Sequence, residues 1–199
     1  TPSDPVTRKG YAHSPGEPRE MTTFDNGVPA MAFAVPRSPL SSISAPFSGF
    51  NAAAGTWLFV IALTNDGVTG SQGLAVSSDL AVLLRSDRQL TVYEGGAGGT
   101  VLAESATGIS YAPAAPQVVL VGYSAERGVT IRIDGVEAAR GAWTGPLAGG
   151  DAGADFTLLQ NFTGRVGAVG YLPDDLTRAR YATALARMEA FLMARYSAA

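Results

Sequence analysis

Short strand-like segments separated by turn residues run along most of the chain, and this spacing constrains the fold more than any other feature. The clearest pair is GVTIRIDGVEAAR, residues 128–140, in which branched apolar side chains alternate with polar ones. Asp134-Gly135, between the two halves, is a dipeptide that tolerates the positive φ angles of a tight hairpin. We therefore predict an antiparallel hairpin at this point.

The same signals recur upstream, where apolar segments of strand length are bounded by glycine, proline, serine or aspartate. The further strand candidates are residues 29–36, 56–64, 73–76, 80–85, 88–94, 100–104 and 117–124, and Ser86-Asp87 is predicted to turn one strand back onto the next. Two sheets can bury opposed apolar faces without crossover helices, so this pattern predicts an all-β fold, a two-sheet antiparallel sandwich. The uncharged segment TWLFVIALT predicts a strand buried on both faces, with Trp57 in the core.

The last part of the chain combines a strand with the only convincing helix pattern. Pro173 ends the segment FTGRVGAVGYLP, Asp174 and Asp175 place negative charge near a helix start, and Thr177 is the predicted N-cap. The predicted apolar stripe is Tyr181, Leu185, Met188 and Leu192, flanked by Ala184 and Phe191. We expect this helix to lie against the sandwich and to cover an edge or an open end.

The first part of the chain has a different composition. Eight of the 12 prolines precede residue 47, and residues 1–20 carry almost no periodic apolar pattern. This predicts an extended N-terminal arm over residues 1–26 and a sandwich domain over residues 27–199. The segment TPSDPVTRKG lacks the apolar region of a signal peptide, so we expect a protein that is not exported by the Sec pathway.

Composition excludes several classes of function. A formal charge of −3 provides no basic surface for nucleic-acid phosphates, so we expect no nucleic-acid partner. The absence of cysteine excludes disulfides and thiolate metal sites, and no apolar run approaches the ~20 residues of a membrane span, so we expect no membrane insertion. His13 is the only histidine and lies in the proline-rich segment, which disfavours a catalytic triad or a histidine-based metal site.

The C-terminal segment also resembles a known family. Its pattern of Phe162, Gly164, Val166, Val169, Leu176 and Thr177, followed by an Ala- and Arg-rich helix, resembles the terminal signature of laminin G-like, concanavalin A-like jelly-roll domains of bacteria and phages. GTWLFVIALTNDG resembles the early core strand of that family, and VTIRIDGVEAAR its late hairpin. The resemblance spans residues 27–196. It implies a jelly-roll scaffold that mostly binds glycans or proteins and sometimes hydrolyses glucans.

The hydrolase branch of that family carries paired carboxylates on one strand, close to Glu-x-Asp-x-x-Glu. Retaining glycosidases need such a pair because an acid/base and a nucleophile must lie about 5 Å apart. No such spacing occurs in this sequence, where Glu94 and Glu104 stand apart from other acids. We therefore expect a protein that is not an enzyme.

A sugar site would combine an aromatic platform with amide or carboxylate groups for hydroxyl pairs. The candidate aromatic residues are Trp143, Tyr93 and Tyr111, each beside a glycine- or proline-rich loop, and packing in or near the core is the alternative interpretation for each. The candidate polar partners are Asn65, Asp66 and Asp151. No cofactor is expected, although Asp66, Asp151 and Asp155 have the oxygen ligands of a calcium site; Asn65-Asp66-Gly67 is also an ordinary turn sequence.

Three hypotheses of function follow. The first is a non-catalytic carbohydrate-binding domain that recognises a cell-surface polysaccharide, as a spike or fibre component of a phage or phage-like particle. The arm would then attach to other structural proteins or form a homo-oligomer, and the protein would act extracellularly or on the particle surface. The alternatives are a structural or protein-binding module without a sugar site, and, less favoured, a glycoside hydrolase.

Overall fold

The computed structural model describes residues 12–13, 20–24, 27–33, 43–46, 49–63, 70–110, 115–147 and 155–196. Within these residues the chain forms fourteen strands, one short 3-10 turn and one α-helix. The strands are β1 (Ala12–His13), β2 (Glu20–Thr23), β3 (Pro29–Phe33), β4 (Ile43–Pro46), β5 (Ala54–Leu63), β6 (Gln72–Val76), β7 (Leu80–Leu84), β8 (Leu90–Glu94), β9 (Thr100–Glu104), β10 (Gln117–Ser124), β11 (Gly128–Ile133), β12 (Val136–Gly141), β13 (Asp155–Gln160) and β14 (Gly164–Leu172). The 3-10 turn is Ala179–Tyr181 and the helix, α1, is Ala182–Tyr196.

The strands are arranged in two sheets of seven. The first sheet has the order β1-β4-β13-β6-β7-β8-β9, and the second has the order β12-β11-β10-β5-β14-β3-β2. Every described pairing is antiparallel. The predicted two-sheet antiparallel sandwich is therefore confirmed.

The main core lies between the two sheets and is built from alternate residues of the central strands. Trp57, Phe59 and Ile61 of β5 point into it, where the rings of Trp57 and Phe156 lie 4.8 Å apart. Trp57 is 1% exposed, as the sequence predicts. The intervening residues Val60 and Ala62 are also buried, but under the helix on the opposite face, so β5 is buried on both sides.

Both predicted turns are present. Asp134 and Gly135 have φ angles of 48° and 79°, the positive values of a tight hairpin, and they connect β11 to β12. Between β7 and β8, the amide of Arg88 donates to the carbonyl of Arg85 at 2.9 Å. Each hairpin places two consecutive strands side by side, β7 with β8 in the first sheet and β11 with β12 in the second.

The helix packs on the outer face of the second sheet. Its buried residues recur on one side: Leu185, Glu189, Leu192 and Tyr196. Tyr196 meets Phe24 edge to face with ring centroids 5.8 Å apart, and together with Val60 and Val118 these residues form a second, smaller core. The helix thus covers a sheet face rather than the edge or open end that the sequence suggests.

The details of the helix differ from the prediction in two respects. Thr177 is not its N-cap: α1 begins at Ala182, and the buried hydroxyl of Thr177 instead donates to Asp175. Phe191 is 61% exposed and Ala184 is also exposed, whereas Glu189 occupies the buried stripe. Leu185 and Leu192 of the predicted stripe are buried, and Glu189 joins them because its carboxylate forms an ion pair with Arg132 at the interface.

Two described strands lie within residues 1–26, the range assigned to an arm. β1 pairs with β4, and β2 pairs with β3 through the register Glu20↔Ala32. Phe24 is 1% exposed in the smaller core. The boundary after residue 26 therefore falls between two paired strands, and β1 and β2 are parts of the two sheets. The remaining residues of the predicted arm lie outside the described residues.

No helix among the described residues has the length and hydropathy that a bilayer crossing requires.

Candidate functional site

Most of the predicted loop residues of the site lie outside the described part of the chain. These are Asn65, Asp66, Tyr111 and Asp151. Asp155 is the first residue of β13, opposite Pro46 of β4 in the register. In the described ranges no group of three or more histidine or acidic side chains could hold a metal ion. The calcium site of Asp66, Asp151 and Asp155 remains a prediction from the sequence.

Trp143 is described, and it lies in the core. Its side chain is 6% exposed and packs edge-on against Tyr123, with ring centroids 5.6 Å apart. The indole Nε1 lies 3.4 Å from the Glu94 carboxylate, to which it donates. A platform for a sugar must expose one face of its ring, and this ring exposes neither. Trp143 therefore follows the packing alternative and is corrected from a binding residue to a core residue.

Tyr93 lies on the outer face of the first sheet. Leu90 and Val92, its neighbours in β8, are fully buried in the core, so strand alternation directs Thr91 and Tyr93 away from the core. Tyr93 is only partly buried and pairs with Val101 of β9, which is 52% exposed. An aromatic ring beside exposed apolar surface is thus available on this side of the sandwich.

The neighbours of Tyr93 on this side combine apolar and charged groups. We define the Tyr93 face as Tyr93 with Ala81, Leu83, Arg85, Thr91, Val101 and Glu104, which adjoin one another on β7, β8 and β9 and in the turn after β7. The cross-strand register places Thr91 between Leu83 and Glu104. Residues that oppose each other in this way have Cβ atoms about 5 Å apart, so they adjoin on one side of the sheet. Ala81, Leu83 and Thr91 are buried there, and the members with accessible surface are Tyr93, Arg85, Val101 and Glu104.

The polar part of the Tyr93 face is an ion pair. The Nη1 atom of Arg85 donates to Oε2 of Glu104 at 2.5 Å, and Thr91 Oγ1 donates to the same oxygen at 3.2 Å. Asp87 approaches the other side of the guanidinium at 3.3 Å. The hydrogen bond that Arg85 donates to Glu104 is the main cause that raises the pKa of Arg85 above its ordinary value. Arg85 and Glu104 are 39% and 37% exposed, so both present hydrogen-bonding atoms to solvent.

The outer side of the sheet continues towards β6 and β13. Gly73 of β6 pairs with Leu83 on one side and with Gln160 on the other. A Cβ atom on Gly73 would lie 2.6 Å from Cγ2 of Val76 and 3.1 Å from Cβ of Gln160, so these two side chains occupy the space that the glycine leaves. Gln160 stands three strands from Tyr93 in the order of the sheet.

Tyr93 is a candidate from the sequence, but its charged partners are not. Arg85 and Glu104 are separated by 19 residues, and only the pairing of β7, β8 and β9 brings them together. The alternation in RQLTVYE does carry one signal, since Thr91 and Tyr93 share a face of any strand formed there.

A second polar cluster, near the end of β10, has a structural role. The Asp175 carboxylate is fully buried and accepts hydrogen bonds from Ser124 Oγ at 2.5 Å, from the Thr177 amide at 2.8 Å and from Thr177 Oγ1 at 2.6 Å. These bonds fasten the segment after β14 to the sheet. The carboxylate is thus used by partners within the chain.

No protein-family model matches the chain, and no curated protein matches it. Among solved structures, domain 4 of AbnA, an extracellular arabinanase from Geobacillus stearothermophilus in complex with arabinotriose, is similar over 86% of this chain and 82% of that chain, with a TM-score of 0.61 and 16% identity. The binding domain of botulinum neurotoxin DC in complex with rat synaptotagmin II has a TM-score of 0.59 and 7% identity over 86% of this chain. Trypanosoma rangeli sialidase has a TM-score of 0.52 and 14% identity over 81% of this chain.

The chain spans 45% of the neurotoxin chain and 30% of the sialidase chain. At these identities the similarity shows a shared β-sandwich fold.

Proposed function

We propose that the domain is a non-catalytic carbohydrate-binding module that recognises a cell-surface polysaccharide through the Tyr93 face. The observation that carries this proposal is a partly exposed aromatic ring on the same side of the sheet as the ion pair of Arg85 and Glu104. Apolar ring surface and paired hydrogen-bonding groups are the two elements that sugars require, because a pyranose has an apolar C–H face and an edge of hydroxyl groups.

Each group of the Tyr93 face has a role in this proposal. The ring of Tyr93, extended by the exposed side chain of Val101, packs against the C–H face of one sugar. The guanidinium of Arg85 donates to hydroxyl oxygens, and the carboxylate of Glu104 accepts from hydroxyl groups. The ion pair already holds both side chains in place, so less conformational entropy is lost when a ligand binds.

A structural neighbour supports the proposal. Domain 4 of the arabinanase has the same fold over most of its length, and its structure contains arabinotriose. A sandwich of this kind can therefore hold an oligosaccharide without an added catalytic domain.

The pairing of three glutamates of the described residues with arginines supports a module without catalysis. Glu104 is paired with Arg85, Glu137 with Arg140 and Glu189 with Arg132. Hydrolysis with retention requires two carboxyl groups about 5 Å apart that are both directed at the glycosidic bond. Acids held by arginines of the same chain are poorly suited to that task.

The test compares two aromatic residues on opposite sides of the sandwich. Tyr93→Ala removes the proposed platform, whereas Phe191→Ala removes an equally large, 61% exposed ring from the helix on the other sheet. Binding to purified capsular and cell-wall polysaccharides is measured by affinity electrophoresis and isothermal titration. We expect Tyr93→Ala to weaken binding by about tenfold, the effect of losing one aromatic contact, and Phe191→Ala to leave it unchanged. Equal binding by Tyr93→Ala and the parent protein would refute the site. Failure of the parent protein to bind any glycan would favour the alternative of a structural or protein-binding module.

We also propose that the domain acts extracellularly or on the surface of a phage-like particle, with its proline-rich first residues attached to other structural proteins or to further copies of the chain. The support is the family resemblance of the sequence and the proline content of this segment. Phage structural genes beside the coding sequence are the expected result. Neighbouring genes for secreted polysaccharide-degrading enzymes would contradict this setting.

A further inference from the structure

We infer that the Tyr93 face selects neutral glycans and discriminates against acidic ones. This inference rests on the proposed carbohydrate binding and names the class of sugar that the same site takes. It is carried by the balance and the pairing of the charges on β7, β8, β9 and the turns between them.

The charge balance in this part of the sheet is negative. The charged groups that contact one another at the Tyr93 face are one guanidinium, Arg85, and two carboxylates, Asp87 and Glu104. Glu94 is directed to the other side of β8, where it accepts from Trp143 Nε1. A sugar that carries a carboxylate therefore approaches a surface of its own sign. At the separations of neighbouring strands, such repulsion lies within the Debye length at ordinary salt and is only partly screened.

The pairing of Arg85 strengthens this argument. Its guanidinium lies between two carboxylates, with Glu104 at 2.5 Å and Asp87 at 3.3 Å. A sugar carboxylate binds well where an arginine can offer it two parallel N–H donors without competing acids. Arg85 already donates to Glu104, so fewer of its N–H groups are available to a ligand. The negative charge of Asp87 would repel a sugar carboxylate that approached the guanidinium.

A pair of neutral hydroxyl groups fits the same atoms better. Each hydroxyl can accept from the Arg85 guanidinium and donate to the Glu104 carboxylate, because it carries both a proton and lone pairs. A carboxylate can only accept, so it would satisfy Arg85 and leave its oxygens facing Glu104. The ion pair is therefore complementary to neighbouring hydroxyl groups and mismatched to an acid.

The experiment uses glycans that differ only in charge. The first matched pair is polygalacturonate and its methyl-esterified form, the second is a sialylated oligosaccharide and its desialylated form, and the third is whole capsular polysaccharide before and after chemical reduction of its carboxyl groups. We expect the neutral member of each bound pair to bind about fivefold more tightly at low salt, and the ratio to shrink as the salt concentration is raised to about 0.5 M.

Two variants locate the effect. Glu104→Gln removes one carboxylate from the Tyr93 face and should raise the affinity for the acidic member towards that for the neutral one. Glu137→Gln removes a carboxylate of the same exposure, which pairs with Arg140 at the same 2.5 Å on β12 of the other sheet, and should leave the ratio unchanged.

Each outcome decides between the two proposals. Equal or tighter binding of the acidic members overturns the selectivity for neutral glycans while carbohydrate binding stands. The same conclusion follows if Glu137→Gln changes the ratio as much as Glu104→Gln. Failure of every member of the panel to bind overturns the proposed function and, with it, this inference.

Discussion

Arg132 of β11 and Glu189 of α1 form a two-bonded ion pair across the interface between the second sheet and the helix. Arg132 Nε donates to Glu189 Oε1 at 2.7 Å, and Nη2 donates to Oε2 at 2.9 Å. The two side chains are 19% and 4% exposed. The hydrogen bonding of Arg132 to the Glu189 carboxylate raises the pKa of Arg132, so this guanidinium stays charged inside the interface. The orientation of the helix therefore depends on a largely buried charge pair.

Removing one partner of this pair should cost more than removing both. Glu189→Leu leaves the Arg132 guanidinium buried without its carboxylate, and we expect the free energy of unfolding to fall by about 3–5 kcal/mol. The double variant Arg132→Met/Glu189→Leu should recover most of that loss, since apolar side chains of similar size can pack in the same space. Urea denaturation of the three proteins measures both effects. A double variant as unstable as Glu189→Leu would contradict this account.

Glycines in the second sheet provide a test of how closely the segment after β14 approaches β10. A Cβ atom at Gly122 would collide with Asp175 Oδ1 and would lie 2.6 Å from Thr177 Cγ2. Gly122→Ala should therefore displace the buried Asp175 network and destabilise the fold by about 1–3 kcal/mol. Gly170→Ala is the matched control, because its Cβ would meet only Leu58 at ordinary contact distances of 3.8 and 3.9 Å.

For Gly170→Ala we expect unchanged or slightly higher stability, by up to about 1 kcal/mol, as alanine restricts the unfolded chain. Thermal and urea unfolding of both variants give the comparison. Similar destabilisation by the two substitutions would show that glycine itself, and not the approach of Asp175, matters in this sheet.

The fold was predictable wherever side-chain alternation and turn chemistry agree. The hairpin at Asp134-Gly135 is of this kind, since its strands alternate and its turn residues adopt positive φ. The short strands β1, β2 and β4 carry little alternation, and their strand conformation depends on partners far along the chain, such as β13 for β4. The helix was predictable as an element. The buried side of the helix was not predictable, because a glutamate can lie there only when it pairs with Arg132 of the sheet.

The candidate site was predictable only in part. Tyr93 stands out in the sequence as an aromatic residue before a glycine-rich loop, but Trp143 has the same appearance and is buried. Local sequence does not distinguish the two, since their exposure depends on which face of which sheet they occupy. The pair of Arg85 and Glu104 joins residues of different strands, and no spacing rule within the sequence identifies it.

Asp174 provides a pH-dependent contribution to stability. The hydroxyl of Tyr181 donates to its carboxylate, and this bond is the main cause that lowers the pKa of Asp174 below its ordinary value; Arg180, at 2.8 Å, adds to it. A lowered folded-state pKa means that the contribution is complete above the unfolded value of about 3.9 and is lost as the pH falls through the folded value.

Tyr181→Phe removes this donor, so the pKa of Asp174 should rise towards its ordinary range. The stability difference between the parent protein and Tyr181→Phe should be constant from about pH 5 to 7 and should shrink as the pH falls below about 4. Nuclear magnetic resonance titration of the Asp174 carboxyl and urea unfolding at several pH values measure the two quantities. An unchanged Asp174 titration in Tyr181→Phe would disprove the assigned cause.

Trp143 and Tyr93 should separate stability from binding. Trp143 packs against Tyr123 in the core, so Trp143→Ala should lower the free energy of unfolding by about 3–5 kcal/mol, the usual cost of deleting a buried aromatic side chain. The fraction that remains folded should bind glycan with the parent affinity, because the ring is not exposed. Tyr93→Ala should show the opposite pattern, with a stability change below about 1 kcal/mol and weakened binding. Unfolding curves give the first quantity, and titration corrected for the folded fraction gives the second. If folded Trp143→Ala lost binding while Tyr93→Ala retained it, the site would lie beside Trp143 and not on the Tyr93 face.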